Sequence, residues 1–417
     1  MSSTIFSPSV PYRFRVHCSW WKNEDLYLAG GFYKFYMGKN LDMPARDLYL
    51  MARKILVDDV GSFPLLEGKR DAFDQNYLKA YDKLVESDGD ASVLLEHRGL
   101  KNAVYDPVVY SFEKKLRTGL DVVNYPQHFS MYGQFFRPLA AYPSPTNDMA
   151  PYLIDERKAI VPEVPILQHF VNSTPLEKLG IPEFSASKDQ VQLKICITGP
   201  IELYVHSEMG FTVYKEILAN FARTVNAFAR NSIINDPRIK TKIISIDEPS
   251  LGFIDLFNID EADLVECLDI ALSGLPDDVV KQIHLHSLAD ARIPLQAKNI
   301  DVLTCEFASN PTNTIERKLL EQHRKKMRVG ICRTNYNAII GKMIEEGRAV
   351  GTGYEEQLLL VDSEEKIQAA LERAIAHYGV ENIAYVGPDC GLSSWAPPEL
   401  AQLLLKRVVD VVRHNVS

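Results

Sequence analysis

The chain has 417 residues, of which 46% are hydrophobic and 24% are charged, and its formal net charge is −9. This length and composition indicate a globular protein with one large domain or two domains. No apolar run reaches the roughly 18 residues that a membrane span needs, and the N-terminus lacks the basic-then-apolar pattern of a secretion signal. We therefore expect a cytoplasmic protein without a membrane partner. The absence of a dense block of Lys and Arg argues against a nucleic-acid partner.

Six cysteines are scattered along the chain without any CxxC pair, at positions Cys18, Cys196, Cys267, Cys305, Cys332 and Cys390. In a chain of this size, such spacing is typical of reduced thiols, most of which lie in the core. One or two of them are left as candidates for metal binding or catalysis.

Residues 1–52 carry several prolines and a run of aromatic residues, but they show no clear hydrophobic period. We interpret this stretch as an N-terminal extension that packs on the main domain, with its aromatic side chains as core residues. The catalytic domain is then expected over residues 53–417.

From residue 53 onward, short β-branched runs alternate with longer segments of helical period. The runs are Lys54–Val60, Leu120–Val123, Gln192–Ile197, Lys242–Ile246, Val280–His284, Ile300–Cys305, Arg328–Cys332 and Asn382–Val386. The helix-like segments include Tyr214–Asn231, Glu261–Leu272, Thr314–Lys326, Ser363–Tyr378 and Pro398–Arg413. Eight strand–helix units with nearly continuous apolar strands predict a (β/α)8 TIM barrel of the α/β class. A doubly wound open sheet is the alternative, but no Gly-rich dinucleotide fingerprint follows the first strand.

Two segments interrupt this alternation. Residues 128–190 follow the second strand and contain eight prolines. A structureless loop of that length is uncommon, so we predict an insertion that folds over the barrel mouth. A smaller insertion, residues 336–360, follows the seventh strand.

Potential metal ligands stand where three of the predicted strands end, namely His286, Glu306 and Cys390. Taken alone, such a Cys or His is more often a core residue, and Glu306 could simply pair with a lysine. The carboxyl ends of all strands meet at one mouth in a TIM barrel, so the three side chains are expected to share a site. Catalytic zinc takes such ligands and keeps one position open. A thiol bound to zinc loses its proton near neutral pH and becomes a nucleophile.

Further polar residues end two of these strands. His284 lies two residues before His286 and therefore faces the same side of the strand. We predict that His284 orients a ligand or substrate, or carries the released proton, and the alternative is a core position beneath the site. Asp247 and Glu248 end the fourth strand. We interpret them as carboxylates that hold a substrate ammonium group, with a helix cap or a salt bridge as the alternative.

These motifs resemble those of the cobalamin-independent methionine synthases, specifically their C-terminal catalytic barrel. The matching segments, in the order of the family, are Val60–Pro64, Ile246–Pro249, Ile283–His286, the strand before Glu306, and Gly387–Leu392. The resemblance covers about residues 53–415. It implies a TIM barrel with zinc on His286, Glu306 and Cys390. It also implies homocysteine held by Gly61, Ser62 and Asp247, and methyl transfer to the homocysteine sulfur.

The chain departs from the family pattern at a metal ligand. The family has His-x-Cys where this chain has His286-Ser287-Leu288, and leucine cannot bind a metal. Three outcomes are open: a site with three protein ligands and the substrate sulfur, a site with Cys332 or Cys305 as the fourth ligand, or no zinc at all.

Two other departures bear on the substrates. Many relatives carry a Gly-Glu pair at the second strand end, where this chain has Tyr125-Pro126-Gln127. Gln127 can hydrogen-bond an ammonium group, but it carries no charge. The Tyr-Pro-Gln sequence resembles the archaeal-type single-barrel members, which implies a corrinoid rather than a folate as the methyl donor. Ser393-Ser394-Trp395 replaces basic residues of the family, which argues against a polyglutamylated folate.

We therefore predict a zinc-dependent methyltransferase that acts on a thiol, with homocysteine as the acceptor and methionine as the product. The expected donor is a methylcorrinoid such as methylcobalamin, free or on a partner corrinoid protein, or else a methyl-folate or pterin. Three alternatives remain open. They are alkyl transfer to another thiol such as coenzyme M, decarboxylation of a porphyrin-like substrate, and a non-catalytic barrel that binds a corrinoid or pterin.

Overall fold

Eight parallel strands form the centre of the molecule. The computed structural model describes residues 55–146, 151–207, 209, 212–256, 258–348, 351 and 353–416, so the predicted N-terminal extension lies outside the described residues. The strands are β1 (Leu56–Val57), β2 (Val123–Asn124), β3 (Val191–Thr198), β4 (Ile239–Asp247), β5 (Val280–His284), β6 (Val302–Cys305), β7 (Lys326–Cys332) and β8 (Ile383–Pro388). Each overlaps one of the predicted runs.

The strands pair in the order β1-β8-β7-β6-β5-β4-β3-β2, and every pair is parallel. A parallel bridge between Asp58 and Val122 joins the remaining edges, where the Val57 carbonyl accepts from the Val122 amide at 3.2 Å. The ring is therefore closed, and the predicted (β/α)8 barrel is confirmed. Closure leaves no open sheet edge, which rules out the doubly wound alternative.

Helices follow the strands around the ring. The α-helices span Arg70–Glu86, Ser92–Glu96, Arg98–Leu100, Asp106–Leu116, Gly133–Ala141, Glu163–Ser173, Pro200–Val205, Lys215–Asn231, Glu261–Ala271, Arg292–Gln296, Arg317–His323, Tyr336–Glu345, Tyr354–Gln357, Glu364–Tyr378 and Pro398–Val416. A π-helical segment spans Lys101–Tyr105, and 3-10 turns span Glu156–Lys158, Leu176–Lys178, Pro249–Leu256, Leu358–Leu360 and Val380–Asn382. Among the described residues, no helix combines the length and apolarity that crossing a membrane requires.

One predicted helix is shorter than its hydrophobic pattern suggests. The pattern extends over Thr314–Lys326, but the helix begins at Arg317 and ends at His323. Arg324 ends it in the left-handed conformation, with φ of 55°, and β7 begins two residues later. In the sequence, Asn313 and Thr314 precede Glu316, a pattern that predicts a helix cap. Asn313 does not cap the helix, because its side chain hydrogen-bonds to the loop after β5.

A buried ion cluster ties the strands together inside the barrel. Lys194 Nζ lies 2.8 Å from Asp58 Oδ2, and Arg328 Nε lies 2.7 Å from Asp58 Oδ1. Arg328 also donates to the Pro388 carbonyl at 2.6 Å. Buried charges are tolerated when they are paired and hydrogen-bonded in this way. The cluster thus links β1, β3, β7 and β8.

The segment after β2 is not structureless. It contains the helices Gly133–Ala141 and Glu163–Ser173, and Pro143 forms an antiparallel bridge with Ile154. Its first residues, His128–Tyr132, and Arg137 line the cavity that contains the candidate site.

Candidate metal centre

Four potential metal ligands converge at the mouth of the barrel. They are His284 at the end of β5, His286 two residues later, Glu306 directly after β6 and Cys390 two residues after β8. One ligand atom from each residue can be chosen such that all four lie within 4.8 Å of one another. Convergence follows from the barrel, because the carboxyl ends of its parallel strands face the same side.

The spacing of these atoms fits a tetrahedral metal site. Cys390 Sγ lies 3.6 Å from His284 Nε2 and 3.9 Å from His286 Nε2. Glu306 Oε1 lies 3.6 Å from His286 Nε2. Metal–ligand bonds of about 2.0–2.3 Å in a tetrahedron put neighbouring ligand atoms about 3.3–3.8 Å apart. Two imidazoles, a carboxylate and a thiol are also a donor set that zinc accepts.

The structure brings the three predicted ligands His286, Glu306 and Cys390 together and adds His284 as a fourth donor. The sequence placed His284 beside the ligands rather than among them. Cys305 and Cys332, the two predicted candidates for a fourth ligand, are fully buried in β6 and β7 and do not belong to the described cluster. The fourth potential donor of the cluster is thus an imidazole, not a thiolate.

Without a cation, burial disfavours the charged form of each donor. Burial, followed by the charge of Asp389, raises the pKa of Glu306 to about 7. Burial, followed by the charge of Glu306, raises the pKa of the Cys390 thiol to about 12. Burial, together with His286, lowers the pKa of His284. A divalent cation supplies the positive charge that would favour the thiolate and carboxylate forms.

Asp389 holds two of the ligand-bearing loops in register. Its carboxylate accepts from the backbone amides of Ala308 at 3.0 Å and Ser309 at 2.7 Å. Those amides belong to the loop after Glu306, and Asp389 itself precedes Cys390. This role of Asp389 was not predicted from the sequence. Its position directly before Cys390 in the Gly-Pro-Asp-Cys-Gly motif could have indicated a residue that supports the site.

Asn313 holds the loop after β5 in a similar way. Its side-chain oxygen accepts from the Leu288 amide at 2.8 Å, and its nitrogen donates to the His286 carbonyl at 2.8 Å. A weaker contact of 3.5 Å reaches the Glu306 carbonyl. Asn313 therefore fixes the chain at His286 and directly after it.

Three of the four cluster residues, His284, His286 and Cys390, line a cavity of about 790 Å³. Of the predicted substrate-binding residues, Ser62, Gln127 and Asp247 line it. Gln127 is buried and has φ of 50°, a left-handed conformation that is unusual for a residue other than glycine. Such strained positions cluster at functional sites.

Two predicted substrate-binding residues lie behind the cavity lining. The Gly61 carbonyl accepts from Lys115 Nζ at 2.6 Å, and a Cβ at Gly61 would collide with the Gln127 amide oxygen. Glu248 is fully buried and accepts from the Ile201 and Glu202 amides at 3.0 and 2.8 Å. Glu248 thus anchors the first turn of the helix Pro200–Val205. This contact corresponds to the helix cap that the sequence left open as an alternative for Asp247 and Glu248.

The cavity contains two other carboxylates close to the metal cluster. Asp247 accepts from the Cys196 thiol at 2.8 Å, and burial raises its pKa to about 7. Glu202, which the sequence analysis did not single out, accepts from the Tyr132 hydroxyl at 2.7 Å and the Ser250 amide at 3.0 Å. The negative charge of Glu202 adds to the rise in the pKa of Asp247. Burial lowers the pKa of His286, and the charge of Glu202 acts in the opposite direction. The inner end of the cavity is therefore acidic.

No protein-family model and no curated protein matches this chain. Solved structures do match it over most of its length. They include a B12-independent methionine synthase from Shewanella sp. W3-18-1 in complex with selenomethionine, with 13% identity, a TM-score of 0.49, and coverage of 86% of this chain and 97% of that chain.

A candidate vitamin-B12-independent methionine synthase from Listeria monocytogenes has 14% identity, a TM-score of 0.49 and the same coverage of 86% and 97%. A methyltransferase from Methanosarcina mazei has 12% identity, a TM-score of 0.44, and coverage of 88% of this chain and 97% of that chain. The first two are described as members of the family that the sequence motifs resemble. The fold itself is established by the strand order and register given above.

Proposed function

We propose that this protein is a zinc-dependent methyltransferase that transfers a methyl group to the sulfur of a small thiol, with homocysteine as the acceptor. The observation that carries this proposal is the convergence of His284, His286, Glu306 and Cys390. Three of them, His284, His286 and Cys390, line a cavity whose inner end is acidic. A zinc ion held by these residues would lower the pKa of a substrate thiol into the neutral range, provided that the thiol takes a fifth position or replaces one of the four donors.

The residues of the chain then position the thiol. Asp247 and Glu202 present negative charge to the ammonium group of the amino acid, and the Ser62 hydroxyl lines the same cavity. Gln127 contributes an uncharged hydrogen-bonding group. Holding the sulfur at a fixed place against the methyl donor is a large part of the catalysis that such a site can supply. The sulfur provides the electron pair of the new S–CH3 bond, and the donor keeps the electron pair of the bond that breaks.

The donor in this proposal is a methylcorrinoid such as methylcobalamin, free or bound to a corrinoid protein, with a methyl-folate or pterin as the alternative. Both are large relative to the thiol. The cavity of about 790 Å³ falls within the roughly 300–1,000 Å³ of ordinary small-molecule sites. The proposed place of reaction is cytoplasmic.

Coenzyme M is a less suitable acceptor than homocysteine. Its sulfonate is anionic, whereas the side chains beside the metal cluster include the buried carboxylates Asp247 and Glu202. A porphyrin-like decarboxylation would have no use for four converging metal ligands. A non-catalytic barrel was favoured only by the missing thiolate at Leu288, and the presence of His284 in the cluster removes that argument.

Metal content tests the site directly. We expect inductively coupled plasma mass spectrometry to find about one zinc per chain in the purified protein. The zinc should be lost in Cys390→Ser and in His286→Ala, because each substitution removes one of the four ligands. Cys267→Ser is the matched control, since Cys267 is a buried thiol in the helix Glu261–Ala271. Wild-type protein without zinc would contradict the proposal.

Acceptor specificity tests the reaction. The zinc-loaded protein should methylate homocysteine with methylcobalamin or a methyl-folate as donor, and it should act poorly on coenzyme M. Mass spectrometry of the methylated thiol is the measurement. If coenzyme M is methylated faster than homocysteine, the proposed acceptor is wrong although the metal site stands.

A further inference from the structure

We propose that the outer end of the cavity binds an anionic group, a carboxylate or a phosphate, of the methyl donor, and that Arg137 and Arg70 recognise it. The assignment of this group to the donor rests on the proposed function. The anion site itself rests on the positions of the two arginines and is tested separately.

The cavity has opposite charge at its two ends. At the metal end, Asp247 is 7% exposed and Glu202 is 2% exposed. Arg70 and Arg137 line the same cavity, but their side chains are exposed to solvent. The buried carboxylates Asp247 and Glu202 thus lie at the metal end, whereas two exposed guanidinium groups and one exposed carboxylate, Asp74, lie at the mouth.

The two guanidinium groups are held by consecutive residues of one turn. Arg70 Nη1 donates to the His128 carbonyl at 2.5 Å. Arg137 Cζ lies 5.1 Å from the ring centroid of Phe129, and this ring stacks on Tyr77 at 3.8 Å. Both arginines therefore lie at the same part of the rim. The stacked Phe129–Tyr77 pair supports the guanidinium group of Arg137 through a cation–π contact.

Arg137 is available for a ligand. Within the described parts of the chain, its guanidinium group forms no ion pair with a carboxylate. It packs over the face of the Phe129 ring. Arg70 faces Asp74 at 3.4 Å, and both side chains are nearly half exposed, so this pair contributes little and can be exchanged for a ligand. A guanidinium group matches the planar oxygen pairs of carboxylates and phosphates.

The distribution of charge indicates which substrate carries the anion. The thiol acceptor must reach the metal cluster, where the neighbouring side chains are acidic. The anion at the mouth then belongs to the second substrate, the donor.

Binding of small anions tests the site without any methyl transfer. Methyl phosphate and glutarate are added to the zinc-loaded protein, and their binding is followed by 31P line broadening and by saturation-transfer NMR. We expect saturable binding of at least one of them, weakened about 10-fold or more in Arg137→Glu, because a charge-assisted pair becomes a repulsion. Arg157→Glu is the control, since the Arg157 side chain is 83% exposed and lies outside this cavity.

The pattern of binding identifies the anion and separates the two proposals. Tighter binding of methyl phosphate indicates a phosphate on the donor, and tighter binding of glutarate indicates a carboxylate. Cys390→Ser should still bind the anion, because neither arginine contacts the metal ligands, so a protein without zinc can still pass this test. Absence of saturable binding of either anion to the wild type, or equal weakening in Arg137→Glu and Arg157→Glu, overturns the anion site.

Discussion

In the proposed zinc site, His284 would supply an imidazole where the family that the motifs resemble has a thiolate. The metal ligands would then carry one negative charge fewer. A bound thiol would be more acidic but less nucleophilic, because the cation would keep more of its charge. Leu288, at the position of the missing thiolate, is 4% exposed and belongs to the hydrophobic core.

We expect His284→Ala to weaken zinc binding about 100-fold, since four ligands share a total of roughly 10–16 kcal/mol in comparable sites. Competition with a chelating dye measures the dissociation constant. His206→Ala is a suitable control, because His206 lines the cavity but does not belong to the metal cluster. An unchanged zinc affinity in His284→Ala would return His284 to the role of a core residue beneath the site.

Residues that position others were the hardest to find in the sequence. Asn313 was predicted as a helix cap because Asn and a following Glu at short spacing form a common capping pattern. Its side chain instead braces the loops after β5 and β6. Glu202 carried no motif at all, and only the packing of the helix Pro200–Val205 against β4 reveals its place in the cavity.

At the scale of elements, close packing between strands leaves no room for a side chain at the first glycine of the Gly-Pro-Asp-Cys-Gly motif. Gly387 lies in β8, where a Cβ would collide with the Asp58 carbonyl and with the Arg328 guanidinium group. Neither is the free end of a flexible side chain, since Arg328 and Asp58 are fully buried and paired. Gly387 therefore allows β1 and β8 to approach and close the barrel.

We expect Gly387→Ala to lower the free energy of unfolding by about 3 kcal/mol, the upper end of the usual cost of overpacking. Gly341→Ala is the matched substitution. Gly341 lies within the helix Tyr336–Glu345 with no atom near its Cβ position, so alanine should stabilise the protein by up to about 1 kcal/mol. Urea unfolding measures both. Equal effects of the two substitutions would contradict the strand-packing argument.

At the scale of the whole molecule, a buried carboxyl group couples stability to pH. Glu163 is fully buried, one of its oxygens accepts from the His128 amide at 3.1 Å, and the other has no hydrogen-bond partner among the described residues. Burial raises its pKa to about 7 against an ordinary value of 4.5, although the His128 amide and Lys115 oppose the shift. The folded protein therefore binds this proton more tightly than the unfolded chain does.

The stabilisation from this proton is fully present below pH 4.5 and is lost as the pH rises through about 7. We expect the free energy of unfolding to fall by up to about 3 kcal/mol between about pH 5 and about pH 8 through Glu163 alone. Glu163→Gln should lack this part of the slope, whereas the exposed Glu156→Gln should keep it. Urea unfolding at both pH values measures the difference, and parallel slopes for wild type and Glu163→Gln would refute the assignment.

The sequence by itself was sufficient to predict the barrel and to place three of the four clustered side chains at one site. Strand period, apolar runs and strand-end residues are local features, and the barrel fold then requires all strand ends to share one face. His286, Glu306 and Cys390 could therefore be grouped without coordinates.

Only the tertiary structure decided which groups surround those ligands. The distance from His284 Nε2 to Cys390 Sγ, the anchoring of the helix Pro200–Val205 by Glu248, and the placement of Arg137 at the cavity mouth depend on contacts between residues far apart in sequence. Local pattern contains no information about such contacts, because side-chain partners are chosen by the packing of whole elements. The acidic inner end and basic outer end of the cavity follow from that packing.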